Sequence, residues 1–232
     1  MATIEFLKNP LTTITATFLV FWGATWLQRR TRLTLLNPLL ITIGVLIALL
    51  KLTGISFDEY YQGGRMIEFW LKPAIVALAL PLFNELRHIR NQFVTLFITE
   101  LAGCAVGILS VVAIASALGA SPEVVRSLAP KSVSTPIAIE ITRQLGGIPA
   151  LTSAIVVIVG MLGAIGGLKT MEYGRVKSPV SKSLSMGTAA HVIGTNRISQ
   201  YSERYGAYAT LGLIINGILT AFLAGPIVDY LL

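Results

Sequence analysis

Two polar stretches interrupt an otherwise apolar chain, and they hold the side chains that could recognise a small acid. The first stretch carries a lysine, three hydroxyls and a proline, namely Lys131, Ser132, Ser134, Thr135 and Pro136. A proline inside a helix leaves a carbonyl unpaired one turn back, and a helix that begins near such a break points its free N–H groups at anions. Cation, hydroxyls and amides together predict a carboxylate site. The alternative is a lysine that extends to the membrane surface.

The second stretch places a histidine among small residues. Histidine gains and loses a proton near neutral pH, so we predict that His191 is the proton-linked residue. The alternative is a neutral His191 bonded to a backbone carbonyl. Arg197 could bind a carboxylate through two parallel hydrogen bonds, or it could anchor the segment at the cytoplasmic surface. With Gly194 and Thr195, it forms the second half of the predicted substrate site.

Glu100 lies in the middle of the apolar run 93–118. An ionised side chain at the bilayer centre costs at least ~2.5 kcal/mol unless it is paired or hydrated. A possible ion pair therefore has one of three partners: Lys131, His191 or Arg197. Beside such a cation, Glu100 would stay ionised and play a structural role. The alternative is a role in proton coupling, for which Glu100 and His191 are the two candidates in apolar surroundings. Glu140 and Arg143, one turn apart, are expected to pair with each other.

The composition indicates that lipid, rather than water, surrounds most of the chain. The chain is 54% hydrophobic and 12% charged, with a mean hydropathy of +0.74, whereas a soluble domain is about 25% charged. We therefore predict an integral membrane protein whose main partner is the lipid bilayer. The net charge of +7 could suit nucleic acid, but no basic stripe with interleaved aromatics is present. We therefore expect no nucleic acid partner.

No motif points to catalysis. The chain has no nucleotide-binding loop, no nucleophile elbow and no zinc-protease motif, so it is not expected to be an enzyme. One cysteine and two histidines leave no metal site and no disulfide framework, and no cofactor is implied. Any transport must then use a solute, sodium or proton gradient.

The fold class follows from the apolar runs. Six runs approach the ~20 residues that a span needs, at 11–27, 35–52, 67–86, 93–118, 148–171 and 205–232. The polar stretches 127–147 and 183–202 are too polar to face lipid, so we predict that both are re-entrant or broken helices. The expected fold is all-α, with about six transmembrane helices and two such segments in a single membrane domain, 1–232.

The order of parts repeats along the chain. After four spans in 1–118, units 126–171 and 183–232 each hold a broken segment, a link and a glycine-containing span. A re-entrant segment plus one span reverses sidedness, which predicts an inverted repeat, an arrangement typical of transporters. The two tips should then meet at mid-depth. Two amphipathic interfacial helices are the alternative. Basic residues place links 28–34, 87–92 and 169–182 in the cytoplasm and the N-terminus outside.

At these stretches the chain resembles the LrgB/CidB family of bacterial membrane proteins. The matching segments are LAPKSVSTPIA (128–138), LGGIPALT (145–152) and GTAAHVIGT (187–195), and YGAYATL (205–211) and Pro81-Leu82 also fit. The match covers essentially the whole chain and is specific in its second half. Asn196 stands where the family often has alanine.

The resemblance implies a multi-pass protein of the bacterial inner membrane, encoded beside a small holin-like partner of the LrgA/CidA type. Two functions accompany the family. One is the modulation of murein hydrolase activity and autolysis through a holin/antiholin pair. The other is carboxylate transport, since relatives move glycolate and glycerate or are linked to pyruvate.

The residue chemistry favours transport. We predict a secondary transporter of small monocarboxylates or 2-hydroxy acids, and a homo-oligomer is a possible assembly. A holin acts by oligomerising into a hole and needs no paired broken helices with buried Lys, His and Arg. The holin-like modulator is kept as the alternative.

Overall fold

The computed structural model describes residues 9–31, 36, 38–77, 83 and 86–232. Every regular element in this part of the chain is a helix, which confirms the all-α class. The chain divides into two compact units, Met1–Ala77 and Leu78–Leu232, and each is described by itself.

The first unit contains α1 (Pro10–Thr31), α2 (Pro38–Thr53) and α3 (Phe57–Ala77), and α1 packs against both of the others. A hydrogen bond of 2.8 Å joins the Thr17 and Tyr60 hydroxyls between α1 and α3. The start of α3 is a capping box, in which the Ser56 and Glu59 side chains each accept from the other's backbone N–H.

The second unit contains six helices: α4 (Leu86–Ala117), α5 (Pro122–Leu128), α6 (Thr135–Leu145), α7 (Pro149–Tyr173), α8 (Pro179–Ser199) and α9 (Glu203–Leu231). Proline is the first residue of α5, α7 and α8, where its fixed φ suits a helix start and its missing N–H costs nothing. The helix α9 packs against α4, α6 and α8, and most of its residues between Gly206 and Thr220 are buried. It is the central helix of this unit.

Four described helices are long and apolar enough to cross a membrane: Pro10–Thr31, Arg90–Ala117, Pro149–Tyr173 and Glu203–Leu231. In the most apolar stretch of each helix, half of the residues of α9 are buried, but only 11–22% of the residues of the other three helices. Those three helices therefore have apolar faces that lipid can cover. These four correspond to predicted spans.

The predicted count of six spans is not confirmed. The helix α2 is apolar but only 16 residues long. The span predicted at 67–86 differs more, because α3 begins at Phe57 with the acids Asp58 and Glu59 in its first turn. Pro73 lies inside α3, whereas Pro81 lies outside the described residues.

Both polar stretches contain the predicted break. In the first, α5 ends at Leu128 and α6 begins only at Thr135; α6 then ends on Gly146, whose φ of 72° is the left-handed conformation that glycine adopts easily. In the second, α8 is interrupted at His191, with φ 43° and ψ −135°. The inverted-repeat relation between segments 126–171 and 183–232 stays a prediction.

A first test concerns the contact between α8 and α9. A Cβ at Gly187 would lie against the Ala209 carbonyl, so Gly187→Ala should destabilise the protein by about 1–3 kcal/mol through overpacking. Gly166→Ala is the matched control, because nothing lies within 4 Å of its Cβ position. That variant should be neutral or gain up to ~1 kcal/mol of helix propensity. Denaturant unfolding in detergent measures both, and equal stabilities would contradict the close contact.

Candidate functional site

One side chain of α9 joins the two helix breaks. Asn216 is 1% exposed, and its Nδ2 donates to the carbonyl of Ser132 at 3.1 Å and to that of Thr188 at 3.0 Å. Ser132 lies between α5 and α6, and Thr188 lies in the turn before the interruption at His191. Carbonyls beside a break lack their regular helical partners, and the two amide protons of Asn216 supply them. The two breaks are thus held together, and the mid-depth position of this contact in the membrane stays a prediction.

A small cavity of about 100 Å³ adjoins this junction, and we call it the lysine cavity. Its polar lining consists of Cys104, Lys131, Ser132, Thr188, Asn216 and Thr220. Lys131 carries the only formal charge among the described lining residues, and its Nζ donates to Ser132 Oγ at 3.0 Å. Since a water needs roughly 10–15 Å³ of such space, the cavity can hold several waters or a small solute.

A wider cavity of about 570 Å³ lies on the other side of Thr188, and we call it the glutamate cavity. Its polar lining is hydroxyls, one amide and one acid: Gln92, Thr95, Thr99, Glu100, Ser178, Ser181, Ser185 and Thr188. Gly103, Thr188 and Ala189 line both cavities and therefore form the wall between them.

Glu100 is almost completely buried, at 1% exposed. The Thr188 Oγ1 lies at hydrogen-bond distance from its Oε1, at 2.5 Å, whereas Oε2 has no hydrogen-bond partner in the described part of the chain. Among described residues, no cation lies within 4 Å of the carboxyl, so the predicted ion pair is not formed in this conformation. The other predicted pair is present, because Arg143 Nη1 lies 3.7 Å from Glu140 Oε2 at the surface.

His191 packs against α7 instead of facing either cavity. Its Nε2 lies 2.9 Å from the Val156 carbonyl and so donates to it, and its own carbonyl accepts from Thr195 Oγ1 at 2.9 Å. A positive φ at a non-glycine residue costs about 1–3 kcal/mol, and these contacts hold the backbone there. The bond to Val156 is the arrangement foreseen as the alternative, and the proton-linked role stays a prediction.

The other predicted residues divide into two groups. Lys131 and Ser132 reach the lysine cavity, while Ser134, Thr135 and Pro136 form the start of α6. Gly194 and Thr195 are buried beyond the break, and a Cβ at Gly194 would meet the Met186 carbonyl of the preceding helical half. Gly187 and Gly194 lie on opposite sides of the break. Arg197 donates to Gln200 and lies over the Tyr201 ring, outside the lining of both cavities.

Sequence reasoning missed Asn216, Thr188 and Thr220. Asn216 carried a usable signal, because a buried amide in the apolar run Leu213–Leu219 needs partners inside the protein. Thr220 is only 2% exposed and its Oγ1 lies 3.3 Å from the Cys104 sulfur, which lines the same cavity. Threonine alone carries little signal, since its hydroxyl can bond to its own helix backbone.

Known proteins resemble this chain over most of its length. The model of the LrgB-like family matches residues 17–230. An uncharacterised protein of Haemophilus influenzae is 35% identical over 204 residues, 88% of each chain. The holin-like protein CidB of Staphylococcus aureus is 30% identical over 215 residues, 93% of this chain and 94% of CidB.

The antiholin-like protein LrgB of Bacillus cereus is 35% identical over 190 residues, 80% of this chain and 81% of LrgB. No solved structure matches the chain. The extent of the family match and the coverage of these relatives confirm the resemblance seen in the two broken segments. The chain belongs to the LrgB-like family.

Proposed function

We propose that this chain is an inner-membrane protein whose second unit carries small monocarboxylates or 2-hydroxy acids across the bilayer. The observation that carries the proposal is the lysine cavity, where one half-buried cation and several neutral donors meet between two helix breaks. Breaks of this kind, joined at one point, are the usual construction of substrate sites in secondary transporters.

The charge of the cavity favours an anionic substrate. Lys131 is surrounded by alcohol, amide, thiol and apolar groups, and none of the described residues that line its cavity is an acid. Lys131 is half-buried, and removing a cation from water without an opposite charge beside it is unfavourable, so a bound carboxylate would stabilise it. The volume of about 100 Å³ suits an acid of few heavy atoms.

A second candidate function comes from the relatives. Two of them are named as holin-like and antiholin-like proteins, and those names support a holin-like role more directly than they support transport. On this proposal the chain modulates murein hydrolase activity together with a small membrane partner of the LrgA/CidA type. Transport is supported only by the geometry of the cavity.

Reconstitution separates the two candidates. Purified protein in liposomes, with and without the small partner, is tested for uptake of labelled pyruvate, glycolate and lactate. Transport predicts flux above protein-free liposomes for at least one of them. Absence of flux for all three, combined with lysis phenotypes that survive Lys131→Ala and His191→Ala in cells, would support the holin-like function and contradict transport.

A further inference from the structure

The contacts around Thr188 place a requirement on the proton of Glu100. The Thr188 hydroxyl lies 2.5 Å from Glu100 Oε1 and 2.8 Å from the carbonyl oxygen of Leu184. A hydroxyl has one proton and can donate only one such bond at a time. The Leu184 carbonyl oxygen can only accept, so the hydroxyl must donate to it. The hydrogen bond between Thr188 and Glu100 then needs a proton on the Glu100 carboxyl. Both contacts are therefore satisfied only when Glu100 is protonated.

The surroundings of the carboxyl agree with a neutral acid. Oε2 is buried without a partner in the described part of the chain, and an ionised carboxylate would leave charge there uncompensated. The α9 backbone closes the other side, because a Cβ at Gly212 would lie 3.1 Å from Glu100 Oε1 and 2.7 Å from the Leu184 carbonyl. A protonated carboxyl removes the charge and needs only its one donor bond.

Other ionisable groups on the neighbouring helices lie elsewhere. Cys104 follows Glu100 by one turn on α4 and bonds to Thr220. On α8, the nearest in sequence to Thr188 is His191, which bonds to α7. On α9, Tyr208 lies one turn before Gly212 and is fully buried, and its hydroxyl has no hydrogen-bond partner in the described part of the chain. The remaining ionisable residues lie in the first turns of α4, on the lysine cavity, on α5 or towards the ends of α8 and α9: Arg87, His88, Arg90, Lys131, Glu123, Arg126, Lys182, Arg197, Glu203, Arg204, Tyr205, Asp229 and Tyr230.

We propose that Glu100 is the site that binds the proton coupled to carboxylate movement, and that Thr188 links its protonation to the lysine cavity. The coupling role rests on the proposed transport function, whereas the bound proton does not. Loss of the proton requires Thr188 to turn its hydroxyl to Glu100 and leave the Leu184 carbonyl. Thr188 is also the residue whose carbonyl Asn216 holds, so its movement disturbs the wall that both cavities share.

The bound proton is measured without any transport. Infrared spectra of the purified protein at neutral pH should contain the carbonyl band of a protonated carboxyl, and Glu100→Gln should lack it. Thr188→Val should shift the same band, because it removes the hydrogen-bond partner; this assigns the band even if Glu100→Gln folds poorly. Glu140→Gln, at an exposed carboxyl, is the matched control and should leave the band unchanged. A spectrum without such a band, or a band unaffected by the Glu100 and Thr188 variants, would overturn the proposal.

The coupling is tested in liposomes. If one proton moves with each monocarboxylate, a difference of one pH unit across the membrane supports about tenfold accumulation of substrate inside the liposomes. Liposomes with wild-type protein should approach this ratio faster than protein-free liposomes. Glu100→Gln should exchange substrate but not concentrate it, because glutamine keeps the shape and cannot release a proton. Glu140→Gln, at an exposed carboxyl outside both cavities, should still concentrate it. If wild type shows no flux at all, the transport function fails. If Glu100→Gln concentrates substrate as wild type does, the assignment to Glu100 fails.

Discussion

Lys131→Met should weaken carboxylate binding about 10–100-fold, because it removes the one charged donor among the described residues of the lysine cavity. A hydrogen bond to a charged group contributes about 1.5–3 kcal/mol, and 1.4 kcal/mol corresponds to one factor of ten. Methionine keeps most of the side-chain volume. Binding of labelled pyruvate or glycolate to the purified variant, and its flux in liposomes, measure the effect.

Stability separates this loss of function from misfolding. Lys131 bonds only to the Ser132 hydroxyl in the described structure, so its replacement by an apolar side chain should leave the free energy of unfolding unchanged or raise it. Lys177→Met, at an exposed lysine before α8, is the matched control and should bind normally. If Lys131→Met binds carboxylate as tightly as wild type does, the lysine cavity is not the carboxylate site.

Asn216→Leu should lower the free energy of unfolding by about 2–6 kcal/mol. The substitution leaves the carbonyls of Ser132 and Thr188 buried without their donor, and each such group costs about 1–3 kcal/mol. Flux should fall as well, because the two breaks lose the bond that holds them together. Thermal and denaturant unfolding of the full-length protein in detergent measure the stability.

A second asparagine provides the control. Asn196 is exposed, so Asn196→Leu should change the stability by no more than about 0.5 kcal/mol. If Asn216→Leu is equally mild, the two carbonyls find other partners and the bridge is not important. If it is destabilising but transports normally when folded, Asn216 stabilises the fold without shaping the substrate site.

The two breaks show how far sequence reasoning reached. Their presence was predictable because prolines, hydroxyls and small residues cluster there, and such stretches cannot form a lipid-facing helix. The break in α8 falls on His191, where neither proline nor glycine marks it. Contacts from outside the segment, above all the bond to the Val156 carbonyl, support the unusual backbone there, and no local pattern encodes them.

Glu100 shows the same limit. Its burial in an apolar run indicated that it needs a partner, and the charges of the chain suggested a cation. The partner in the structure is the Thr188 hydroxyl. The helices α4, α8 and α9 pack closely at Gly212, and Thr188 lies at this contact, within reach of the Glu100 carboxyl.

The sequence by itself determined the class of the molecule: a helical membrane protein, its family, and the two stretches where the helices break. Those features follow from composition and local backbone preference, which act within a few residues of each position. Only the tertiary structure decided that Asn216 bridges the breaks, that Lys131 faces a cavity of neutral groups and that Glu100 meets Thr188. These contacts join residues 28–88 positions apart or line one cavity from several helices, so they exist only once the helices have packed.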